Sequence, residues 1–263
     1  MDYIERRVAL APHVKDEGLD AFVIINAGNS DRANQYYLTG FTGSLGIVWI
    51  GREAWMATDS RYTEQATGQV GELPVRKIEG QWSVWLAEQL QAMQVRRVGL
   101  AAAHVTVKVL QDLQASCQDV EIVPTESWVD EARRVKEAEE IERVANAAQL
   151  TDRGLRWILG RIRPGMPERE VALELETWYR RQRADAVAFD LIVASGPHSS
   201  RPHHRPGDRS LTDGEVLLFD IGVQLEGYCS DLTRVVAIGQ VPPRVHEVYE
   251  QVLAANQAGL EAV

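Results

Sequence analysis

Apolar positions recur along this chain with more than one period, and the change of period divides it. Short apolar runs at Ala21 to Ile25, Leu45 to Ile50, Ala54 to Thr58, Leu73 to Ile78, Val95 to Leu100 and Val120 to Val123 predict strands. The second and third of these form a pair across Gly51-Arg52. Between the runs, Arg61 to Gln69, Trp82 to Met93 and Val105 to Ser116 carry helical spacing. The opening segment MDYIERRVALAPHVKDEGLD sets Ile4, Val8, Ala11 and Val14 at helical spacing and predicts one docked amphipathic helix. Residues 1–128 thus predict a mixed α/β domain, bounded by the stretch Pro124 to Trp128.

From Val129 the pattern becomes a long charged helix running to Gly160. Val135, Ile141, Val144, Ala147, Ala148 and Leu155 form its inner stripe, and its Glu, Arg and Lys side chains form a solvated face. The segment Arg163-Pro164-Gly165-Met166-Pro167 turns the chain into a second helix reaching about Arg183. A strand from Val187 to Ala194, a His-rich loop, a hairpin and a last helix from Pro243 to Val263 complete the second region, residues 129–263.

The hairpin carries the most informative residues. Glu215 to Phe219 reads as its first strand and Tyr228 to Ile238 as the return, with turn chemistry at Glu226-Gly227. A loop centred between Leu225 and Glu226 sets Asp220 opposite Asp231, whereas a turn at Glu226-Gly227 makes them diagonal neighbours. Either register keeps both carboxylates on one face, roughly 5 to 8 Å apart at Cβ; a three-residue loop would split them. Two like charges in a largely apolar stretch need neutralising, by a shared proton, by an Arg such as Arg234, or by a divalent metal suited to carboxylate oxygens.

Composition narrows the classes without naming one. In 263 residues, 45% are hydrophobic and 25% charged, and 28 basic against 38 acidic side chains give a net charge of -10. That balance disfavours nucleic acid or an anionic membrane as a partner. The two cysteines, Cys117 and Cys229, offer neither a disulfide framework nor a thiolate cluster, which favours a cytoplasmic setting. No apolar run approaches the ~20 residues of a spanning helix.

The loop SGPHSSRPHHRPGD, Ser195 to Asp208, holds His198, His203 and His204 with Arg201 and Arg205 and leads into the aspartate strand. Its spacing matches neither a zinc finger nor an HExxH helix. A histidine beside a carboxylate-held metal could instead donate to the oxyanion of an attacked carbonyl.

At this point the chain resembles the creatinase/aminopeptidase P/prolidase family of pita-bread metallopeptidases. The segments that carry the resemblance are NQYYLTGFTGS and DSRYTEQA, RRVKEAEEIERVANAAQLTD, PGMPEREVALELE, and FDLIVASGPHSSRPHHRPGDRSLTDGEVLLFDIGVQLEGYCSDLTRVVAIG, in family order. The resemblance implies an α/β creatinase-like N-terminal domain followed by an α+β pita-bread catalytic domain. It places the first two metal ligands on Asp220 and Asp231 and the substrate-side catalytic histidine on His203. It implies hydrolysis of the peptide bond before proline, with proline at the substrate's second position, at a centre of two divalent ions of the Mn, Co or Zn type clamping both ends of the displacement. It also implies a homodimer.

The family's later His and two later Glu ligands find no counterpart up to Val263; Glu247, Glu250 and Glu261 fit the wet face of the last helix better. The catalytic domain is therefore expected to be incomplete, with activity belonging to a complete form. A competing reading is a non-enzymatic peptide- or histone-binding relative, and a third, a metal-free creatine-type hydrolase, would be expected to lack the aspartate pair.

Overall fold

The computed structural model describes residues 1–262, and the chain forms two compact units, one ending at Lys136 and the other beginning at Glu137. The last helix expected to reach Val263 is described through Glu261, and Val263 lies outside the described residues.

The first unit contains α1 (Tyr3–Val8), α2 (Ala11–Asp16), β1 (Ala21–Ala27), α3 (Arg32–Thr39), β2 (Leu45–Ile50), β3 (Ala54–Thr58), α4 (Thr63–Gln69), β4 (Val75–Lys77), α5 (Trp82–Ala92), β5 (Arg97–Ala101), α6 (Val107–Ser116), β6 (Glu121–Thr125) and α7 (Trp128–Arg134). Six strands form a mixed sheet in the order β4-β3-β2-β1-β5-β6. β1 lies at its centre, antiparallel to β2 and parallel to β5. It is apolar on both sides because both sides are covered. Phe22 and Ile24 meet Leu38, Val48 and Ile50 on one face, while Val23 and Ile25 meet Trp49, Trp55 and Leu86 on the other. Burial of each such side chain stabilises the unit by about 1.5–3 kcal/mol.

Three sequence expectations change here. The single N-terminal helix is two, because Pro12 starts a new helix after Ala9 and Leu10; Leu10 and Val14 are buried, while Ile4 and Val8 stay exposed. Pro124 and Thr125 belong to β6 rather than to a connecting stretch, since Leu100 and Ala101 pair with them. Helix α3 was not foreseen, because its buried face is polar. Asn34, Gln35 and Thr39 are fully buried, and Gln35 donates to the carbonyls of Phe41 and Gly43.

The second unit contains α8 (Ala138–Leu159), α9 (Glu168–Arg181), β7 (Ala186–Val187), β8 (Ile192–Ser195), β9 (Val216–Ile221), β10 (Val223–Leu225), β11 (Tyr228–Cys229), β12 (Leu232–Ala237) and α10 (Pro243–Glu261). The long helix expected from Val129 is broken: Val135 adopts an extended conformation and is 82% exposed, and α8 starts afresh with a capping box between Glu137 and Glu140. Ile141, placed in the expected inner stripe, is also exposed, whereas Ala147, Leu150, Leu155 and Ile158 are buried. The expected strand from Val187 to Ala194 is two short strands in different sheets.

α8 and α9 cover the sheets through Leu150, Ile158, Val171, Leu175 and Tyr179, which share one core with Leu217, Phe219 and Ile221. The strands form two antiparallel sheets, β12-β9-β8 and β11-β10-β7, so the long hairpin runs from one sheet into the other. Helix α10 buries none of its residues.

Candidate functional site

The site grows from the alternation along β9. Leu217, Phe219 and Ile221 point into the core, and Leu218 and Asp220 take the opposite face. Register is set at the turn, where Glu226 and Gly227 both have positive φ, 51° and 81°, the conformation of a two-residue hairpin turn. Leu225 therefore opposes Tyr228, and Asp220 opposes Thr233. Asp220 and Asp231 are consequently diagonal neighbours on one face, the second of the two registers that keep them together.

Gly222 and Ser230 explain why the strands can change sheets between these aspartates. A Cβ at Gly222 would lie 2.1 Å from the Ser230 carbonyl oxygen, so only glycine permits this approach. The Ser230 hydroxyl, buried, lies 2.6 Å from the Thr151 hydroxyl and accepts from the Val223 backbone N–H at 3.1 Å, which ties the crossover to α8. Asp231 follows directly.

Asp220 is half-buried and Asp231 exposed, so the pair sits at the rim of a sheet face rather than in an apolar interior. Desolvation raises the Asp220 carboxyl above its ordinary range, the Thr233 hydroxyl opposes that by donating at 3.2 Å, and the charge of Asp231 raises it further. His203 stands near enough for its charge to act on Asp220 in the opposite sense. Arg234, a sequence candidate for neutralising the pair, does not approach it. Its neighbour Thr233 occupies the aspartate face, so alternation sends Arg234 to the other side, where its guanidinium donates to the Thr233 carbonyl.

The His-rich loop is organised by a residue that the sequence reading left unassigned, Glu168, the first residue of α9. Its side chain is fully buried, and it accepts from the Ser195 backbone N–H at 2.7 Å, the Ser195 hydroxyl at 2.8 Å, His198 Nδ1 at 3.0 Å, His204 Nε2 at 2.8 Å and the Gly207 N–H at 3.3 Å. Burial alone would raise this carboxyl, but the donors from Ser195, His204 and His198 outweigh it and hold it at about 2. A signal was available in the sequence: a loop with three histidines and two arginines needs a carboxylate, and PGMPERE supplies one at a helix start. The loop is braced again where Arg209 pairs with Glu215 at 2.5 Å and donates to the Ser195 carbonyl.

Adjacent histidines therefore face opposite ways. His204 is buried against Glu168, while His203 is exposed on the aspartate side. The structure thus brings Asp220, Asp231 and His203 to one surface.

Residues 6–135 match the Creatinase/Prolidase N-terminal domain, and residues 142–263 match Metallopeptidase family M24. The uncharacterized peptidase YqhT of Bacillus subtilis is 37% identical over 244 residues, covering 92% of this chain and 68% of that protein. This chain belongs to metallopeptidase family M24. Among solved structures of the family, the X-Pro aminopeptidase from Thermotoga maritima superposes with a TM-score of 0.88 at 35% identity, over 96% of this chain and 70% of that one. The Xaa-Pro dipeptidase from Bacillus anthracis gives a TM-score of 0.90 at 32% identity, over 97% of this chain and 70% of that one. The two units are accordingly the creatinase-like N-terminal domain and the M24 pita-bread fold. The chain spans 66% of a second Bacillus subtilis relative and 48% of a Staphylococcus aureus one. No helix among the described residues is long and apolar enough to cross a membrane.

Proposed function

We propose that this M24 chain is the larger part of a proline-specific peptidase, an Xaa-Pro aminopeptidase or dipeptidase, in which Asp220 and Asp231 hold divalent metal and His203 faces the substrate. The observation that carries this reading is the convergence of the two carboxylates and one imidazole on a single face of the hairpin. The donor set fits: both aspartates offer hard oxygens, and the proton affinity of Asp220, raised by desolvation first and by the charge of Asp231 second, is one that a bound cation would lower. A bound divalent pair would supply Lewis-acid polarisation of the scissile carbonyl. Thr233 orients the Asp220 carboxylate, Glu168 fixes the loop from beneath, and His203, free of that clasp, is placed to donate to an oxyanion.

Two carboxylates alone leave most of a coordination shell to water, so the 263-residue chain should hold Mn2+ weakly and turn over at or near background. The test is hydrolysis of Xaa-Pro against Xaa-Ala peptides by a form extended through the region that the longer relatives possess. Cleavage is expected before proline only. In that form His203→Ala should lower kcat roughly 10²- to 10³-fold with metal content unchanged and KM little affected. Equal cleavage of the two peptides would remove the proline assignment, and loss of metal in the His203 variant would make that residue a ligand.

A further inference from the structure

Glu168, His198 and His204 hydrogen-bond to one another through the Glu168 carboxylate, and the chemistry proposed at the aspartate pair uses none of them as a ligand or a proton donor. We propose that these residues form a separate site for a borderline divalent cation of the Zn2+ class. One ligand atom from each of the three residues lies within 4.8 Å of the other two. Two imidazoles and one carboxylate are a donor set that zinc takes with a fourth position left to water, whereas the aspartate pair offers only the hard oxygens that Mn2+ or Mg2+ accepts.

The geometry is close to what such an ion needs. Metal–ligand bonds of roughly 2.0–2.2 Å at tetrahedral angles set ligand atoms about 3.3–3.5 Å apart. The shared oxygen, Glu168 Oε2, now lies 3.1 Å from His198 Nδ1 and 2.8 Å from His204 Nε2, so these two separations have to open by only a few tenths of an ångström. Glu168 keeps its orientation when the histidines turn from donors to ligands. The Ser195 N–H and hydroxyl and the Gly207 N–H continue to hold its oxygens, as outer partners do for a metal-bound carboxylate. The anchor is a helix terminus and the loop is tied on both sides of the histidines, which limits the ordering that binding must pay for.

Charge favours one dication over two protons. The two rings stand 4.3 Å apart, centroid to centroid, so two imidazolium ions would repel across that gap above a single carboxylate. With metal bound, both rings are neutral at the ligating nitrogen; that hydrogen moves to the other ring nitrogen of a neutral histidine or leaves to solvent from a protonated one. His198 is 23% exposed at its side chain and provides the entry side, while His204 and Glu168 form the closed wall.

The experiment is a Zn2+ titration of the chelator-stripped 263-residue chain against a chromophoric competitor, repeated with Co2+ read by visible absorption. It needs no turnover, so its outcome is independent of the peptidase reading. One Zn2+ per chain is expected, bound at least ~10-fold more weakly in His198→Ala and in Glu168→Gln and unchanged in the Asp220→Asn/Asp231→Asn double variant. His198→Ala is the decisive change, because the partly exposed ring can be removed while Ser195 and His204 still hold Glu168, and its melting temperature checks that the fold persists. Unaltered zinc affinity in His198→Ala, or loss of zinc in the aspartate variant, would overturn the site and leave the cluster as a hydrogen-bonded clasp.

Discussion

Asp220 carries the charge conflict of the hairpin. Its carboxyl is raised by desolvation and by Asp231, with only the Thr233 hydroxyl and the charge of His203 working the other way. Replacing it by Asn keeps the shape, and an amide oxygen can still accept from Thr233. In the metal-free chain Asp220→Asn should therefore be neutral or stabilising, by up to about 1 kcal/mol, kept small because Asp231 is exposed and solvent screens the pair. Urea unfolding at pH 7 measures this; destabilisation well beyond about 1 kcal/mol would show that Asp220 makes a structural contact that its neighbours do not reveal. His204 differs from its neighbour His203 in both burial and partner. Buried and bonded to Glu168, it belongs to the scaffold of the loop that presents His203.

At the scale of the element, the hairpin works because it changes sheets between its two aspartates, and Gly222 makes that possible. A Cβ there would meet the Ser230 backbone carbonyl at 2.1 Å, and backbone cannot swing aside as a flexible side chain can. Gly222→Ala should cost about 1–3 kcal/mol, as overpacking of a close contact does. It should also push Ser230 away from Thr151 and displace Asp231, its next residue. Thermal unfolding together with Mn2+ binding checks this: both should weaken in the variant, and unchanged stability would mean that the strands separate at no cost.

On the scale of the molecule, a buried charge cluster in the N-terminal unit gives the pH dependence. Asp31 is 3% exposed, neither of its carboxylate oxygens has a hydrogen-bond donor at proper geometry, and His104 Nδ1 stands 3.7 Å away. Desolvation pushes its carboxyl up to about 6, with His104 opposing and Asp130 adding to the rise. Because this folded value lies above the ordinary 3.8, the folded state holds the proton more tightly, and stability falls as pH rises from about 4 to about 6. Above that range the full penalty, on the order of 3 kcal/mol, is present. Asp31→Asn should thus stabilise the chain at pH 7 and make little difference at pH 4. Melting curves of parent and variant at the two values decide; an equal gain at both would remove the titration as its cause.

Much of this protein was legible in its sequence, and the rest was not for identifiable reasons. The runs Leu45 to Ile50 and Ala54 to Thr58 are the observed β2 and β3, because continuous apolar stretches bounded by turn residues have few other ways to be buried. The even spacing of Asp220 and Asp231 about a Glu-Gly turn placed them on one face, since side-chain alternation in a hairpin is a local property. Tertiary structure decided what local pattern leaves open. Between two even registers, the conformation of Glu226-Gly227 and the close approach of Gly222 to Ser230 chose the diagonal one. Whether Val135 continued a helix depended on α8 capping itself at Glu137. The role of Glu168 depended on a loop some thirty residues away folding back over the start of α9, as His198 and His204 show by their separations of 30 and 36 positions. Periodicity reports which side of an element is buried. It does not report which distant polar groups will meet there, because that pairing is fixed by long-range contacts that only the assembled sheet and helices create.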